Sequence, residues 1–139
     1  MVPPRAATEL IGGIDEARAG LIAFLRSKDA QALAERPPSG EWSVIENVRH
    51  LLFAEQLHVG KFLNRVGLSG RTGKRYAEAG KDATDDLEEV LQAWDTVHRP
   101  IRGAVRGGDE EVQKKLRLNL KHLVRHIDTI KTLLAEAGG

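Results

Sequence analysis

The stretch GEWSVIENVRHLLFAE, Gly40–Glu55, contains the best-marked helix start in the chain. Ser43 and Glu46 form an S-x-x-E capping box, in which the Ser side chain accepts a hydrogen bond from an unpaired backbone N–H group and the Glu side chain reaches back to the cap. Apolar residues follow at helical spacing. The stretch therefore predicts a helix that begins after Ser43 and continues to about Val66.

Three other segments have the apolar spacing of helices. They run from about residue 6 to 26, from about 84 to 106, and from a cap at Asp109 to about residue 136. Pro100 should kink the third predicted helix, and Gly107 and Gly108 should end it. No segment alternates with the period of two that a strand needs. The sequence thus predicts an all-α protein, a four-helix bundle formed by a single domain over residues 1–139.

The connections between the helices differ in character. One helical turn is predicted near Asp29 to Leu33, between the first two long helices. The segment from about residue 67 to 83 is rich in glycine and has no apolar period. We expect that segment to be an exposed loop.

The composition excludes several classes of function. The chain has 21 Lys and Arg against 20 Asp and Glu, which gives no electrostatic support for binding nucleic acid or an anionic membrane. It has no cysteine, so a protein-bound metal must use His, Asp or Glu. No apolar run approaches the roughly 20 residues that span a membrane, and the N-terminus does not read as a signal peptide. We therefore expect a cytoplasmic protein that does not bind membranes.

Two histidines lie one helical turn apart in LKHLVRHIDTI, Leu120–Ile130. His122 and His126 can converge on a single metal ion, as the histidines of an H-E-x-x-H zinc helix do. The residues between them include no Glu, so the catalytic base of that motif is missing. Two histidines at the boundary of the core, bonded to neighbours or water, are the alternative.

A metal needs more ligands, and the second helix offers His50 and His58. His50 points away from the main apolar stripe, although Phe53 and Leu57 share its side of the helix, so periodicity alone does not select it. Glu55 falls near the centre of the stripe, where an unpaired carboxylate is costly. It is either the buried partner of a cation or metal, a group that supports a ligand, or a boundary residue that reaches water.

The two stretches together resemble the DinB/YfiT-like family, whose second helix begins with a W-S-x-x-E-x-x-x-H-L…E signature. The matching residues are Trp42, Ser43, Glu46, His50, Leu51 and Glu55. HLVRHIDTI is similar to the H-x-x-x-H pattern of that family's fourth helix. The resemblance implies a four-helix bundle in up-down-down-up order. It also implies a divalent metal, usually zinc or nickel, held by His50, His122 and His126 with open positions for water or substrate.

Members of that family with known roles include transferases and isomerases that use low-molecular-weight thiols such as mycothiol or bacillithiol. The resemblance therefore implies a metal-dependent enzyme that activates such a thiol for attack on an electrophilic small molecule. For hydrolysis by a metal-bound water, Glu55 is the predicted general base. The rival hypothesis is a non-catalytic metal-binding or stress-response protein that acts as a homodimer. Two departures, Thr129 where the family commonly has Gln and Pro100 in the third helix, remove no ligand.

Four other ring side chains are predicted to be structural. His58 and His98 are expected to lie outside the site, and Trp94 in the core. Trp42 is expected to pack at the start of the second helix, with stacking on a substrate as its alternative.

Overall fold

The computed structural model describes residues 5–68, 83–105 and 110–136, and these residues form five α-helices and one π-helical turn. The helices are α1 (Arg5–Arg26), α2 (Ala30–Ala34), α3 (Val44–Glu55), α4 (Leu87–Ala104) and α5 (Glu110–Glu136), and the π-helical turn is Gln56–Gly60. The described residues contain no strand, so the all-α prediction is confirmed. The first and last helices have the predicted extents, and the short predicted turn is α2.

The capping box of α3 forms as predicted. The Ser43 hydroxyl accepts a hydrogen bond from the Glu46 N–H at 3.1 Å, and the Glu46 carboxylate accepts one from the Ser43 N–H at 2.9 Å. Glu46 also receives two hydrogen bonds from the Arg36 guanidinium, at 2.8 and 2.6 Å. This bidentate pair is the main reason that the pKa of Glu46 is lowered to about 2. The start of α3 is therefore joined to the segment that precedes it.

The second predicted helix ends earlier than expected. The α-helix stops at Glu55, the π-helical turn continues it to Gly60, and the chain then turns back. The Arg65 N–H donates to the Gly60 carbonyl at 2.7 Å, and a Cβ on Gly60 would lie 2.6 Å from the Arg65 carbonyl oxygen. The extension to Val66 was thus wrong. Phe62 and Val66, which the longer predicted helix would include, are 42% and 48% exposed.

The beginning of the expected loop over 67–83 is anchored to the π-helical turn. The Gln56 side chain donates to the Leu68 carbonyl at 2.8 Å and accepts from the Leu68 N–H at 2.9 Å. Leu68 is buried, although it falls in the segment that was expected to be exposed. Residues 69–82 of that segment lie outside the described residues.

The third predicted helix, α4, is shorter than expected at both ends. Asp86 caps it by accepting the Glu89 N–H at 3.0 Å, and the helix continues through Pro100 to Ala104. The predicted stop signals at positions 107 and 108, and the predicted cap at position 109, lie outside the described residues.

The core explains why α3 is buried on several sides. Helix α3 packs against both α4 and α5, while α1 packs against α5. The six residues 44–49 at the start of α3 are therefore all buried. The apolar stripe of α5 faces this core, with Leu116, Leu123 and Ile130 buried. No helix in the described part of the chain is long and apolar enough to cross a membrane.

Candidate metal centre

Three histidines from two neighbouring helices converge. His50 comes from α3, and His122 and His126 come from α5. One ring nitrogen of each lies within 4.8 Å of the others, and Nε2 of His50 is 3.0 Å from Nε2 of His122. Two nitrogens bound to one tetrahedral zinc ion at about 2.1 Å are about 3.4 Å apart. The cluster therefore has nearly the spacing that a divalent ion requires and could hold one.

Asn47 fixes the orientation of His126. Its Oδ1 lies 2.9 Å from Nδ1 of His126, and its Nδ2 donates to the Ser43 carbonyl at 2.9 Å. Since the amide oxygen can only accept, Nδ1 of His126 carries the proton and Nε2 keeps its lone pair. Sequence reasoning missed Asn47, but its position three residues before His50 places it on the same face of α3.

Two histidines of the cluster, His122 and His126, favour the neutral form. Burial lowers the pKa of His122 to about 4, with further lowering by the neighbouring His126 and His50. Burial also lowers the pKa of His126. Neutral imidazole is the form that binds a metal. Nδ1 of His122 is buried without a hydrogen-bond partner among the described residues, so the support that Asn47 gives His126 has no counterpart there.

Replacing Asn47 should weaken metal binding without removing a ligand. We expect Asn47→Ala to raise the Kd for zinc by about 10- to 100-fold, because His126 loses the group that fixes its tautomer and ring orientation. Competition with a chromophoric zinc chelator measures this Kd. Asn119→Ala is the matched control, since Asn119 is a buried asparagine of α5 outside the cluster. Equal zinc affinity in the two variants would contradict the assigned role of Asn47.

A cavity of about 430 Å³ adjoins the cluster. His50 and His122 form part of its wall, whereas Phe53, Ala54, Leu57, Gln56, His58 and Lys61 form the rest. His58 was expected to lie outside the site, but its ring centroid is 6.1 Å from that of His122. Burial, followed by the nearby Lys115 charge, lowers the pKa of His58. His50 and His122 therefore face the cavity, and α3 and the π-helical turn supply most of the remaining wall.

Trp42 lies on another side of His50. The two ring centroids are 5.2 Å apart, and the rings are inclined by 53°. The expected packing of Trp42 at the start of α3 thus includes direct contact with a histidine of the cluster.

Glu55 belongs to a second polar cluster, which is buried between α1, α3 and α4. It is 2% exposed, so the alternative in which it reaches water is wrong. Its carboxylate accepts a hydrogen bond from Trp94 Nε1 at 3.3 Å and lies 2.7 Å from His98 Nδ1. Nε2 of His98 in turn contacts Asp15 of α1. Both of these partners of Glu55 belong to α4 and not to the three-histidine cluster. The role of Glu55 as a general base stays a prediction.

The second cluster should make the stability of the protein depend on pH. Burial opposes protonation of His98, but the hydrogen bond and charge of Glu55 and the hydrogen bond of Asp15 outweigh burial and the repulsion by Arg18, so the pKa of His98 is raised above 6.5. The folded state then holds this proton more tightly than the unfolded state. The resulting stabilisation is fully present below pH 6.5 and is lost as the pH rises through the raised pKa.

We therefore expect the contribution of His98 to the free energy of unfolding to fall as the pH rises above 6.5. His58, His122 and His126 have lowered pKa values, so they are neutral in the folded state but still partly protonated in the unfolded state near pH 6.5, and they contribute a change of the opposite sign. Urea unfolding of the unaltered and His98→Gln proteins at several pH values measures the sum, and the difference between the two proteins isolates the contribution of His98. A difference that does not fall with rising pH would contradict this role of His98.

The fold and the site define an all-helical protein in which three histidines on two packed helices could hold a metal ion. The chain matches the DinB superfamily over residues 13–134, and it belongs to that family. Kelch-like protein 21 of Rattus norvegicus and that of Bos taurus are each 33% identical to it over 76 residues, which is 55% of this chain. The match spans only 11% of the length of either relative. No solved structure matches the chain.

Proposed function

We propose that the protein is a divalent-metal-dependent enzyme whose ion, zinc or nickel, is held by His50, His122 and His126. The observation that carries the proposal is the convergence of the three imidazoles, with His126 oriented by Asn47. Boundary histidines bonded to their neighbours could also make the bond to Asn47, but they would not need to converge on a common point.

Three neutral imidazoles leave coordination positions open and the charge of the ion uncompensated. Such an ion acts as a Lewis acid and lowers the pKa of a bound water or thiol. The chain supplies binding space beside the histidines, because the cavity reaches His50 and His122. Membership of the DinB superfamily and this cavity support a transferase or isomerase that uses a small thiol such as mycothiol or bacillithiol. Glu55 is kept as a predicted general base for hydrolysis.

Thermal unfolding with paired thiol and hydroxyl compounds tests the proposed chemistry. Zinc- or nickel-loaded protein should be stabilised by cysteine, mycothiol or bacillithiol more than by serine, because a thiolate is the stronger ligand of these ions. Metal-free protein should not distinguish cysteine from serine. Equal responses to cysteine and serine in the loaded protein would contradict thiol activation and favour a non-catalytic metal-binding protein.

We also propose that the four long helices form a single domain in up-down-down-up order. Contacts of Arg49 with Asp85 and of Glu55 with His98 support parallel α3 and α4, since both residue numbers rise together. Contacts of Asn47 with His126 and of His50 with His122 support antiparallel α3 and α5. The contacts of Arg26 with Glu88 and of Asp15 with His98 support antiparallel α1 and α4.

A further inference from the structure

Among the described residues that line the cavity, the charged side chain is a cation. The described residues that line it include Lys61 and no Asp or Glu. The three candidate ligands are uncharged imidazoles, so none of them would offset the charge of a divalent ion. With the ion bound, the cavity is therefore electropositive at its histidine end and again at Lys61.

A second ammonium group, that of Lys115 in α5, lies near the π-helical turn. Its Nζ is 5.6 Å from the ring centroid of Phe62, and its charge contributes to the lowered pKa of His58, a residue of the turn that lines the cavity. Lys61, which comes directly after the turn, lines the cavity itself. Lys61 therefore places one cation in the wall, and Lys115 is near enough to His58 for its charge to act there.

Part of the cavity wall is apolar. Phe53, Ala54 and Leu57 line it, and Leu57 is 58% exposed. Covering a large exposed apolar side chain with a ligand is favourable, because it removes apolar surface from water. The volume of about 430 Å³ is within the range of pockets that enclose small molecules.

We propose that this cavity binds a small amphiphilic anion, whose apolar body lies on Phe53 and Leu57 and whose negative group is held at Lys61 and Lys115. The proposal rests on the proposed metal-dependent function and adds the chemical class of its substrate. Neutral and cationic molecules of the same shape are rejected, because they leave the positive charges of the cavity uncompensated.

Calorimetric titration with three compounds of equal chain length tests the proposal: hexanoate, hexan-1-ol and hexylammonium. Both zinc-loaded and metal-free protein are titrated. We expect hexanoate to bind most tightly and hexylammonium least tightly in both forms. The double variant Lys61→Gln/Lys115→Gln should raise the Kd for hexanoate by roughly tenfold, since two partly exposed ion pairs are lost, and should leave the Kd for hexan-1-ol unchanged.

Lys121→Gln is the matched control, because Lys121 is a lysine of α5 that lines a different groove with Arg117 and Val124. Hexanoate affinity that is unchanged in the double variant would overturn the proposal, and so would equal binding of the three compounds or binding of none. Zinc content measured on the same samples separates the two proposals. A chain that takes up no zinc contradicts the metal-dependent function, while the metal-free titration still decides whether the lysines select an anion.

Discussion

The His122→Ala protein should lose its zinc during gel filtration, whereas the unaltered protein should retain about one ion per chain. His122 supplies the nitrogen that lies 3.0 Å from Nε2 of His50, and it is also one turn from His126. Losing a group that only supports a ligand costs about 10- to 100-fold in metal affinity, so losing the ligand itself should cost more than about 100-fold. Elemental analysis of the eluted protein measures the bound metal.

His58→Ala is the matched control for this experiment. His58 has its ring 6.1 Å from that of His122 and lines the same cavity, but it is not one of the three converging residues. It should retain zinc at the level of the unaltered protein. Equal zinc content in the His122→Ala and His58→Ala proteins, or an unaltered protein that takes up neither zinc nor nickel, would refute the proposed metal centre.

The Glu55→Ala protein should be destabilised by about 3–5 kcal/mol, the largest loss of stability that we expect from a single substitution here. Glu55 and His98 are 2% and 3% exposed, and removing the carboxylate leaves the imidazole and the Trp94 N–H in the core without this partner. A buried polar group left unpaired loses its hydration without compensation. Urea unfolding at pH 6, where the stabilisation by His98 is fully present, measures the loss.

Glu88→Ala is the control for Glu55→Ala. Glu88 also forms a long-range ion pair, with Arg26 of α1, but both side chains of that pair are exposed. Solvent screens such a pair, so its loss should cost far less stability than the loss of Glu55. Equal losses of stability in the two variants would show that burial does not explain the contribution of the Glu55 cluster to stability.

Local sequence signals predicted the parts of the fold that depend on local contacts. The capping box of Ser43 and Glu46 spans four residues, and the structure confirms it. The apolar period of α5 likewise predicted a helix from about residue 110 to 136, and Leu116, Leu123 and Ile130 of this helix are buried. The H-x-x-x-H spacing also placed His122 and His126 on one side of that helix, where they meet.

The helical wheel could not select His50, because it assumes that a helix buries one stripe. Helix α3 packs against α4 and α5 at once, so polar residues outside the apolar stripe are buried as well. Asn47 and His50 are on the side that contacts α5, and Glu55 is on the side that contacts α4. Only the family signature distinguished His50 from His58.

Local sequence patterns could not predict the second polar cluster. His98 is 43 residues from Glu55 and 83 residues from Asp15 in the chain, and no periodicity relates such positions. The π-helical turn was also missed, because its five residues make little more than one turn and are too few to reveal a period.

The π-helical turn offers a route by which the wall of the cavity can change without any change in the three histidines of the candidate metal centre. A single residue gained or lost within an α-helix rotates everything beyond it by about 100°. The three histidines lie outside Gln56–Gly60, whereas Leu57, His58 and, just after it, Lys61 belong to the wall that the turn builds. An insertion or deletion of one residue in this turn would therefore change the direction in which these wall residues point. Evolution can make this change in a single step, and so can protein engineering.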